Sequence, residues 1–308
     1  MDEPTTSAEE RFSPAAKGPG DENFPVASWL IPRPMRPHVH AFYAFARAAD
    51  DIADDPRLDS EEKRTRLNAF ARAIGAGMVE DDGAVVTNGA EVIVEVDTGP
   101  AEAFAQSLAA TDIGIGHAAD LLAAFQQDAV KNRYRDWGEL MSYCRLSAVP
   151  CARHILDLHG ENDDMARVAA DALAVALQVI NHIQDCADDY RRLDRVYLPL
   201  EWLEDAGAGV VDLEGGETTP GLRRVLDRML DGVDWLLVVA EPFPHRAREL
   251  GLALEGAVTL EIAHRLSAML RAGDPLAGRV GLSRTGFAAA AVRGVARGLW
   301  RRIRPPRA

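Results

Sequence analysis

Two acidic clusters, far apart in the chain, carry the side chains best suited to chemistry. Asp50 and Asp54 are four positions apart, and so are Asp185 and Asp189. In a helix this spacing places both carboxylates of a pair on one face, one turn apart. Magnesium takes one or two protein carboxylates and completes its octahedron with water and substrate phosphate oxygens. Two such faces that meet across a helical bundle would therefore hold several magnesium ions on a diphosphate.

Other polar residues share the helix face of each cluster. At 100° per residue, Tyr43 and Arg47 fall on the stripe of the first pair, and Gln178 and Asn181 fall on the stripe of the second. The rest of each stretch is mostly apolar, apart from Asp51 in the first and His182, Gln184 and Asp188 in the second. A buried carboxylate must be paired or metal-bound to offset its desolvation, so the two stripes are expected to line a wet, ion-filled cavity. For either cluster taken alone, an ordinary solvated acidic face is the alternative.

Helical periodicity dominates the elements that must position these residues. The pattern predicts helices over residues 35–54, 59–78, 101–109, 116–132, 136–159, 164–190, 222–240, 244–271 and 284–303. One segment differs: in 85–94, β-branched residues flank Asn88-Gly89, which predicts a hairpin inserted between helices. With 308 residues, 47% of them apolar, and no internal repeat, the chain is expected to form one all-α domain.

Composition excludes several classes of protein. A net charge of −14 argues against nucleic-acid binding, which needs a basic surface. The three cysteines are an odd number without zinc-ligand spacing, which favours reduced thiols in a cytoplasmic protein. Residues 1–20 lack the apolar segment of a secretion signal and are predicted to be a disordered leader. No window approaches about 18 uninterrupted apolar residues, so no membrane span is predicted, and no dinucleotide-binding glycine motif follows a strand.

The C-terminal segment 286–308 has a different character. From Pro275 to Ala308 there are eight arginines and no acidic residue. On a helix, one stripe consists of Arg293, Arg297, Arg301 and Arg304. Roughly opposite lie Ala288, Ala291, Val295, Leu299 and Ile303. This pattern is typical of an interfacial helix attracted to anionic lipid, and it predicts peripheral contact with the inner face of a membrane. A tail docked on the protein's own acidic surface, or frayed, is the alternative.

At the acidic motifs the chain resembles the squalene/phytoene synthase family. Members carry Asp-x-x-x-Asp behind a Tyr and an Arg, and later Gln-x-x-Asn-x-x-x-Asp-x-x-x-Asp; here the second motif leads to Arg195-Val-Tyr-Leu-Pro199. The resemblance covers residues 21–285. The opening 22–28, with Asn-Phe-Pro, and the segment Tyr143-Cys144-Arg145 are similar to one subgroup, the hydroxysqualene synthases of bacterial hopanoid pathways.

The resemblance implies an isoprenoid synthase, a helical bundle of the class I terpenoid synthase type around a central cavity. For the subgroup it implies conversion of presqualene diphosphate to hydroxysqualene, with about three Mg²⁺ assisting release of diphosphate. The cation then rearranges and is quenched by water, so no NADPH is expected. Metal binding is implied for Asp50, Asp54, Asn181, Asp185 and Asp189. Catalytic roles are implied for the four aspartates together with Tyr43 and Arg47. Substrate binding is implied for Arg47, Tyr143, Gln178, Asn181, Arg195 and Arg279.

Alternatives remain open within and beyond this family. A head-to-head prenyltransferase would make presqualene or prephytoene diphosphate, and Asp50-Asp51-x-x-Asp54 also satisfies a head-to-tail prenyltransferase motif. A non-catalytic relative would act as an assembly or binding protein, although all four motif aspartates are present. Neighbouring hopanoid-pathway enzymes are further candidate partners. The chain departs from many relatives at Val149, Ala152, Gln184 and Ile262, which bears on the product more than on metal binding.

Overall fold

The computed structural model describes residues 30–76, 85–87, 90–92 and 96–303. Three features predicted from sequence lie outside these ranges: the leader 1–20, the opening 22–28 and the Asn88-Gly89 turn. The described part is built almost entirely of helices, which confirms the all-α fold class.

Thirteen α-helices run through the described residues in chain order. They are α1 (Arg36–Asp54), α2 (Ser60–Ala73), α3 (Gly99–Thr111), α4 (Gly116–Asp128), α5 (Trp137–Ser147), α6 (Val149–Leu158), α7 (Asp164–Gln184), α8 (Cys186–Leu193), α9 (Leu200–Asp205), α10 (Pro220–Ala240), α11 (Phe243–Arg246), α12 (Leu250–Ala272) and α13 (Arg284–Ile303). A 3₁₀ turn spans Val210–Glu214. Strands β1 (Val85–Thr87) and β2 (Ala90–Val92) pair antiparallel, as the β-branched residues of 85–94 predicted.

Three predicted helices are each divided in two. The helix predicted over 136–159 breaks between α5 and α6, where Pro150 in the first turn of α6 lacks the N–H that would continue α5. The helix predicted over 244–271 breaks at Glu249, whose carboxylate accepts from the N–H groups of Gly251 and Leu252 and starts α12. The helix predicted over 164–190 breaks at Asp185, where no helix-breaking residue stands. Helix α9 was not predicted.

Helix α7 is the central element of the larger hydrophobic core. It packs against α5, α6, α10 and α12, and most of its side chains are buried. By length and composition alone α7 could cross a membrane, but 67% of its apolar window is buried inside the protein. A second core lies among α1, α2, α3 and α4, where Phe45 stacks on Phe104 with ring centroids 4.9 Å apart. The acidic motifs lie on α1 and α7–α8, so each belongs to one of these two cores.

The C-terminal helix α13 lies directly against α12. Its buried side centres on Ala290, Gly294 and Gly298, where a Cβ on Gly294 would come within 2.5 Å of the Val258 Cα. The backbones therefore approach as closely as only glycine permits.

The apolar stripe predicted for this helix is divided between two environments. Ala291 and Val295 pack against the core, but Ala288 and Leu299 are exposed. The reason is that small residues, and not the larger apolar ones, select the side that docks.

We expect Gly294→Ala to destabilise the protein. Alanine favours a helix over glycine by about 1 kcal/mol, but here its Cβ would meet backbone atoms of Val258, which cannot move aside as a side chain would. The net loss in the free energy of unfolding should be about 1–3 kcal/mol, measured by urea unfolding. Gly278→Ala is the matched control, because a Cβ there has no neighbour within 4 Å. Equal stability of the two variants would contradict the close docking of α13.

Candidate active site

The first acidic motif forms an ion-paired stripe on α1. The Arg47 Nη1 lies 3.1 Å from the Asp50 Oδ2, and the Arg47 Nη2 contacts the carboxylate of Asp51. Tyr43, Arg47, Asp50 and Asp54 are all partly exposed. Phe42, Phe45 and Ala49 are buried on the other side of the helix. The stripe predicted from 100° periodicity is therefore present as one surface of α1.

The second motif forms a similar stripe across the junction of α7 and α8. Gln178, Asn181, Asp185 and Asp189 are partly exposed among buried neighbours. The backbone hydrogen bonds continue through the break, since the Asp185 N–H donates to the Asn181 carbonyl at 2.9 Å and the Asp189 N–H donates to the Asp185 carbonyl at 2.8 Å. The break therefore redirects α8 without separating the two aspartates.

Arg195 joins the two motifs. Its backbone N–H donates to the Asp189 carbonyl at 3.2 Å, and its Nη1 donates to the Asp54 Oδ1 at 2.7 Å. The side chain of Arg195 is only 6% exposed. Its Nη2 also donates to the backbone carbonyl of Asp128 at 3.3 Å. Residues 141 positions apart are thus held in one polar cluster, which brings α1 beside the segment that follows α8.

Asp128 is a site residue that sequence reasoning missed. It ends α4 and is buried, and its Oδ2 accepts a hydrogen bond of 2.6 Å from the hydroxyl of Tyr143. The Tyr143 and Tyr197 hydroxyls lie 3.4 Å apart, and Tyr197 stacks on His182 at 3.6 Å between ring centroids. A usable signal existed: Asp128 shares the apolar face of α4 with Leu121, at a helix C-terminus where a carboxylate is unfavourable.

Burial and crowding raise the pKa of two carboxyl groups in this cluster. Burial, then the charge of Asp54, holds the pKa of Asp50 well above its usual range, although Arg47 opposes the shift and 35% of the Asp50 side chain is accessible. Burial likewise raises the pKa of Asp128 to about 7, against the opposing charge of Arg195 and the hydrogen bond from Tyr143. Burial, with added repulsion from Asp54, thus disfavours the ionised forms of Asp50 and Asp128, and added cations would favour them.

The surrounding side chains stay neutral at physiological pH. Burial, followed by the charge of Arg195, lowers the pKa of His182 to about 3. Burial, followed by the charge of Asp128, holds the pKa of the Tyr143 hydroxyl well above its usual range. Burial raises the pKa of the Tyr197 hydroxyl well above its usual range, and the charge of Asp128 and, more weakly, that of Asp189 add to the shift. A neutral layer of aromatic rings therefore underlies the charged cluster.

The residues that follow Arg279 hold it near the second motif. The Gln184 Nε2 donates to the Val280 carbonyl at 2.6 Å, which ties the loop before α13 to the end of α7. A Cβ on Gly281 would lie 3.9 Å from the Gln184 Nε2 and 4.0 Å from the Arg279 Nε. Gln184, one of the departures from the family pattern, thus anchors this loop. Among the other departures, Ile262 is fully buried in α12.

A groove of about 590 Å³ lies elsewhere, between α5, α7 and α10. It is lined by Trp137, Met141, Arg145, Val149, Asp171, Ala172, Val175, Gly232, Trp235 and Leu236. None of the predicted site residues lines this groove, although Val149, another departure, does.

The carboxylate oxygens of the two acidic motifs are suitable ligands for magnesium. Among the described residues no three His, Cys, Asp or Glu side chains already converge on one point. Magnesium does not require such a cage, because it takes one or two carboxylates and completes its shell with water and phosphate oxygens. The crowding that raises the pKa of Asp50 would be relieved by a cation. Partly exposed Asp50, Asp54, Asp185 and Asp189 are suitable hard oxygen donors.

The helical fold and its paired acidic motifs define an isoprenoid synthase, and solved structures agree. A dehydrosqualene synthase has a TM-score of 0.70 at 19% identity, covering 89% of this chain and 91% of its own. The squalene synthase HpnC from Alicyclobacillus acidocaldarius has a TM-score of 0.65 at 28% identity, covering 80% of this chain and 87% of its own. The predicted isoprenoid synthase fold is therefore confirmed.

Sequence comparisons identify the family. The squalene/phytoene synthase model matches residues 18–286. Hydroxysqualene synthase from Rhodopseudomonas palustris is 40% identical over 278 residues, covering 90% of this chain and 88% of its own. The hydroxysqualene synthase of Zymomonas mobilis is 36% identical over 266 residues, covering 86% and 84%. The chain belongs to the squalene/phytoene synthase family, and it is an enzyme of isoprenoid biosynthesis.

Asp128 should make the folded protein less stable as the pH rises from about 4 to about 7. In the folded chain Asp128 keeps its proton to about pH 7, whereas its ordinary pKa is 3.8, so raising the pH between these values favours the unfolded state. Asp128→Asn removes this effect, while its amide oxygen can still accept from Tyr143. Relative to the unchanged protein, the variant should gain up to about 4 kcal/mol of unfolding free energy from pH 4 to pH 7.

Urea unfolding at several pH values measures this difference. Asp120→Asn is the matched control, because Asp120 lies exposed on the same helix α4. A stability difference between Asp128→Asn and the unchanged protein that stays constant with pH would show that Asp128 is ionised throughout.

Proposed function

We propose that this chain converts presqualene diphosphate to hydroxysqualene. The observation that carries the proposal is the ion pair between Arg195 and Asp54, because it brings the two acidic motifs to one place. A site with several carboxylates and arginines at its edge suits a diphosphate bound through divalent cations. The choice of substrate rests on the relatives named hydroxysqualene synthase, which are 36–40% identical over most of the chain.

Two sets of charged residues would hold the diphosphate, one through metal ions and one through direct hydrogen bonds. Asp50, Asp54, Asp185 and Asp189, assisted by Asn181, would hold about three Mg²⁺, which supply Lewis-acid stabilisation to the leaving diphosphate. Arg47, Arg195 and Arg279 would donate charge-assisted hydrogen bonds to its oxygens. Arg47 and Arg195 are already positioned by carboxylates of the first motif, so little side-chain entropy is lost when substrate binds.

The chemistry exchanges the carbon–oxygen bond to diphosphate for a carbon–oxygen bond to water, and the cyclopropane ring opens in between. The carbon–oxygen bond to diphosphate breaks, and the diphosphate leaves with the electron pair. The cyclopropylcarbinyl cation rearranges, and a water oxygen adds to it and loses a proton to solvent or to the departing diphosphate. Gln178 on α7 and Tyr43 on α1 flank the acidic stripes and would position the reacting end of the substrate. Exclusion of other water would protect the cation until the last step.

The place of the enzyme in its pathway follows from its substrate. A head-to-head condensing enzyme must supply presqualene diphosphate, so neighbouring hopanoid-pathway enzymes are natural partners. A cytoplasmic location fits diphosphates made in that compartment. The runner-up activity, head-to-head condensation itself, gains weight from a phytoene synthase of Pseudescherichia vulneris that is 29% identical over 222 residues.

The substrate assay separates these activities. With Mg²⁺ and without NADPH, we expect the purified protein to turn presqualene diphosphate into hydroxysqualene, and to use farnesyl diphosphate poorly. In ¹⁸O-labelled water, mass spectrometry should find the label in the product hydroxyl, because water is the nucleophile. Presqualene diphosphate formed from farnesyl diphosphate at an equal or higher rate would favour the runner-up. No turnover of either substrate would favour a binding protein over the proposed reaction.

Asp185, at the junction of α7 and α8, and Asp188, in the first turn of α8, provide a matched test of the metal ligands. Asp185→Asn should lower kcat by about 100-fold or more, because the neutral amide loses the charge that binds Mg²⁺. Raising the Mg²⁺ concentration should recover part of the loss. Asp188→Asn should keep near-normal turnover, since Asp188 is 74% exposed and lies off the stripe. Similar kinetics for both variants would remove Asp185 from the ligand set.

A further inference from the structure

Helix α13 presents a second apolar side, directed away from the protein. Gly294 and Gly298 fix the opposite side of the helix on α12, so this side cannot turn inward without losing that packing. Its large residues are Val292, Leu299 and Trp300, which are 71%, 42% and 58% exposed. Its smaller exposed residues are Ala288, Ala289 and Ala296. These six residues are called the outer face.

Arginines border the outer face. Arg293 is exposed on α13 and lies beside Trp300 on the helical wheel, at one edge of the outer face. Arg297, one turn further, is 51% exposed while its Nη1 lies 3.2 Å from a carboxylate oxygen of Glu261. Residues 275–308 contain eight arginines and no acidic residue, in a chain whose net charge is −14. Positive charge is therefore concentrated where the apolar side chains are exposed.

A neighbouring segment extends the basic region. Arg302 on α13 donates to the backbone carbonyls of Pro244 and Ala247. These bonds hold the end of α13 against the segment that joins α11 to α12. Arg246 and Arg248 are exposed in that segment. The basic region thus includes residues from two separate parts of the chain.

We propose that the outer face and its bordering arginines bind the surface of a bilayer that contains anionic lipid. Such a surface offers anionic headgroups to the arginines and acyl chains to Val292, Leu299 and Trp300. Tryptophan in particular favours the boundary between acyl chains and headgroups. The acidic remainder of the protein is repelled by the same lipid, so the charge distribution selects this side for contact.

A second copy of the chain fits the outer face less well. One side of a single helix is much smaller than the roughly 800 Å² per partner of a standard protein interface. Two copies would also each carry a net charge of −14. The bilayer satisfies both the apolar and the basic residues, whereas a second copy would satisfy only the apolar ones.

This binding would hold the enzyme at the membrane in which long prenyl chains dissolve. That consequence rests on the proposed function, but the binding itself does not. A vesicle-binding experiment without substrate therefore tests the surface separately from the reaction. Turnover of substrate presented in detergent tests the reaction separately from the surface.

The experiment is co-sedimentation of the full chain with vesicles. Vesicles of phosphatidylcholine with about 30% phosphatidylglycerol should bind the protein, and vesicles of phosphatidylcholine alone should bind it weakly. The double variant Val292→Ser/Trp300→Ser should weaken binding by about tenfold or more. Arg293→Gln should weaken it by about fivefold and reduce its dependence on salt.

A matched pair of exposed residues on α10 gives the control. Trp235 and Val238 are 67% and 68% exposed, as accessible as the pair on α13. Trp235→Ser/Val238→Ser should leave vesicle binding unchanged, and the α13 variant should keep its turnover in detergent. The proposal is overturned if both double variants bind vesicles alike, or if phosphatidylcholine alone binds the protein equally well. Concentration-dependent dimers that only the α13 variant loses, without vesicle binding, would assign the outer face to a second copy.

Discussion

The buried contact of Arg195 with Asp54 is the interaction on which the site depends. Removing a guanidinium and a carboxylate from water is expensive, and their attraction repays the cost only when the remaining polar atoms are also satisfied. Here the carbonyl of Asp128 takes a second hydrogen bond from Arg195, while the Arg195 Nε has no protein partner among the described residues. Because 34% of the Asp54 side chain is exposed, solvent screening keeps the cost of losing one partner below the about 3–5 kcal/mol of a fully buried pair. The same contact that organises the catalytic charges therefore also fixes how the two hydrophobic cores meet.

Beneath the charged cluster, Asp128 and its aromatic neighbours form a neutral support. The second carboxylate oxygen of Asp128 has no hydrogen-bond partner among the described residues, which favours the protonated acid. Tyr143 and Tyr197 hold this acid in place, and His182 stacks beneath Tyr197. A neutral layer adds no charge to a site that already holds several carboxylates. The net charge that metal ions and diphosphate encounter is thus set mainly by the exposed motif residues.

Much of the fold and part of the site followed from the sequence. Helix positions and the two polar stripes were predictable because a 3.6-residue period places spaced carboxylates on one side. Asp128 was missed because it stands alone, without a partner at i+4, and its partners come from other elements. The break at Asp185 has no local marker. Which side of α13 docks on α12 was not predicted, because glycines at 294 and 298 determine the approach and contribute nothing to an apolar pattern.

The apolar composition of α7 affects how the protein folds during its synthesis on the ribosome. Its 21 residues are apolar enough to pass for a membrane span, yet the helices that cover it, α10 and α12, are synthesised later. At about 5–20 residues per second, α7 leaves the ribosome several seconds before α12 is complete. During that interval α7 is exposed, because the helices that bury it in the folded protein are not all present. Chaperone protection during synthesis should therefore matter more for this helix than for any outer one.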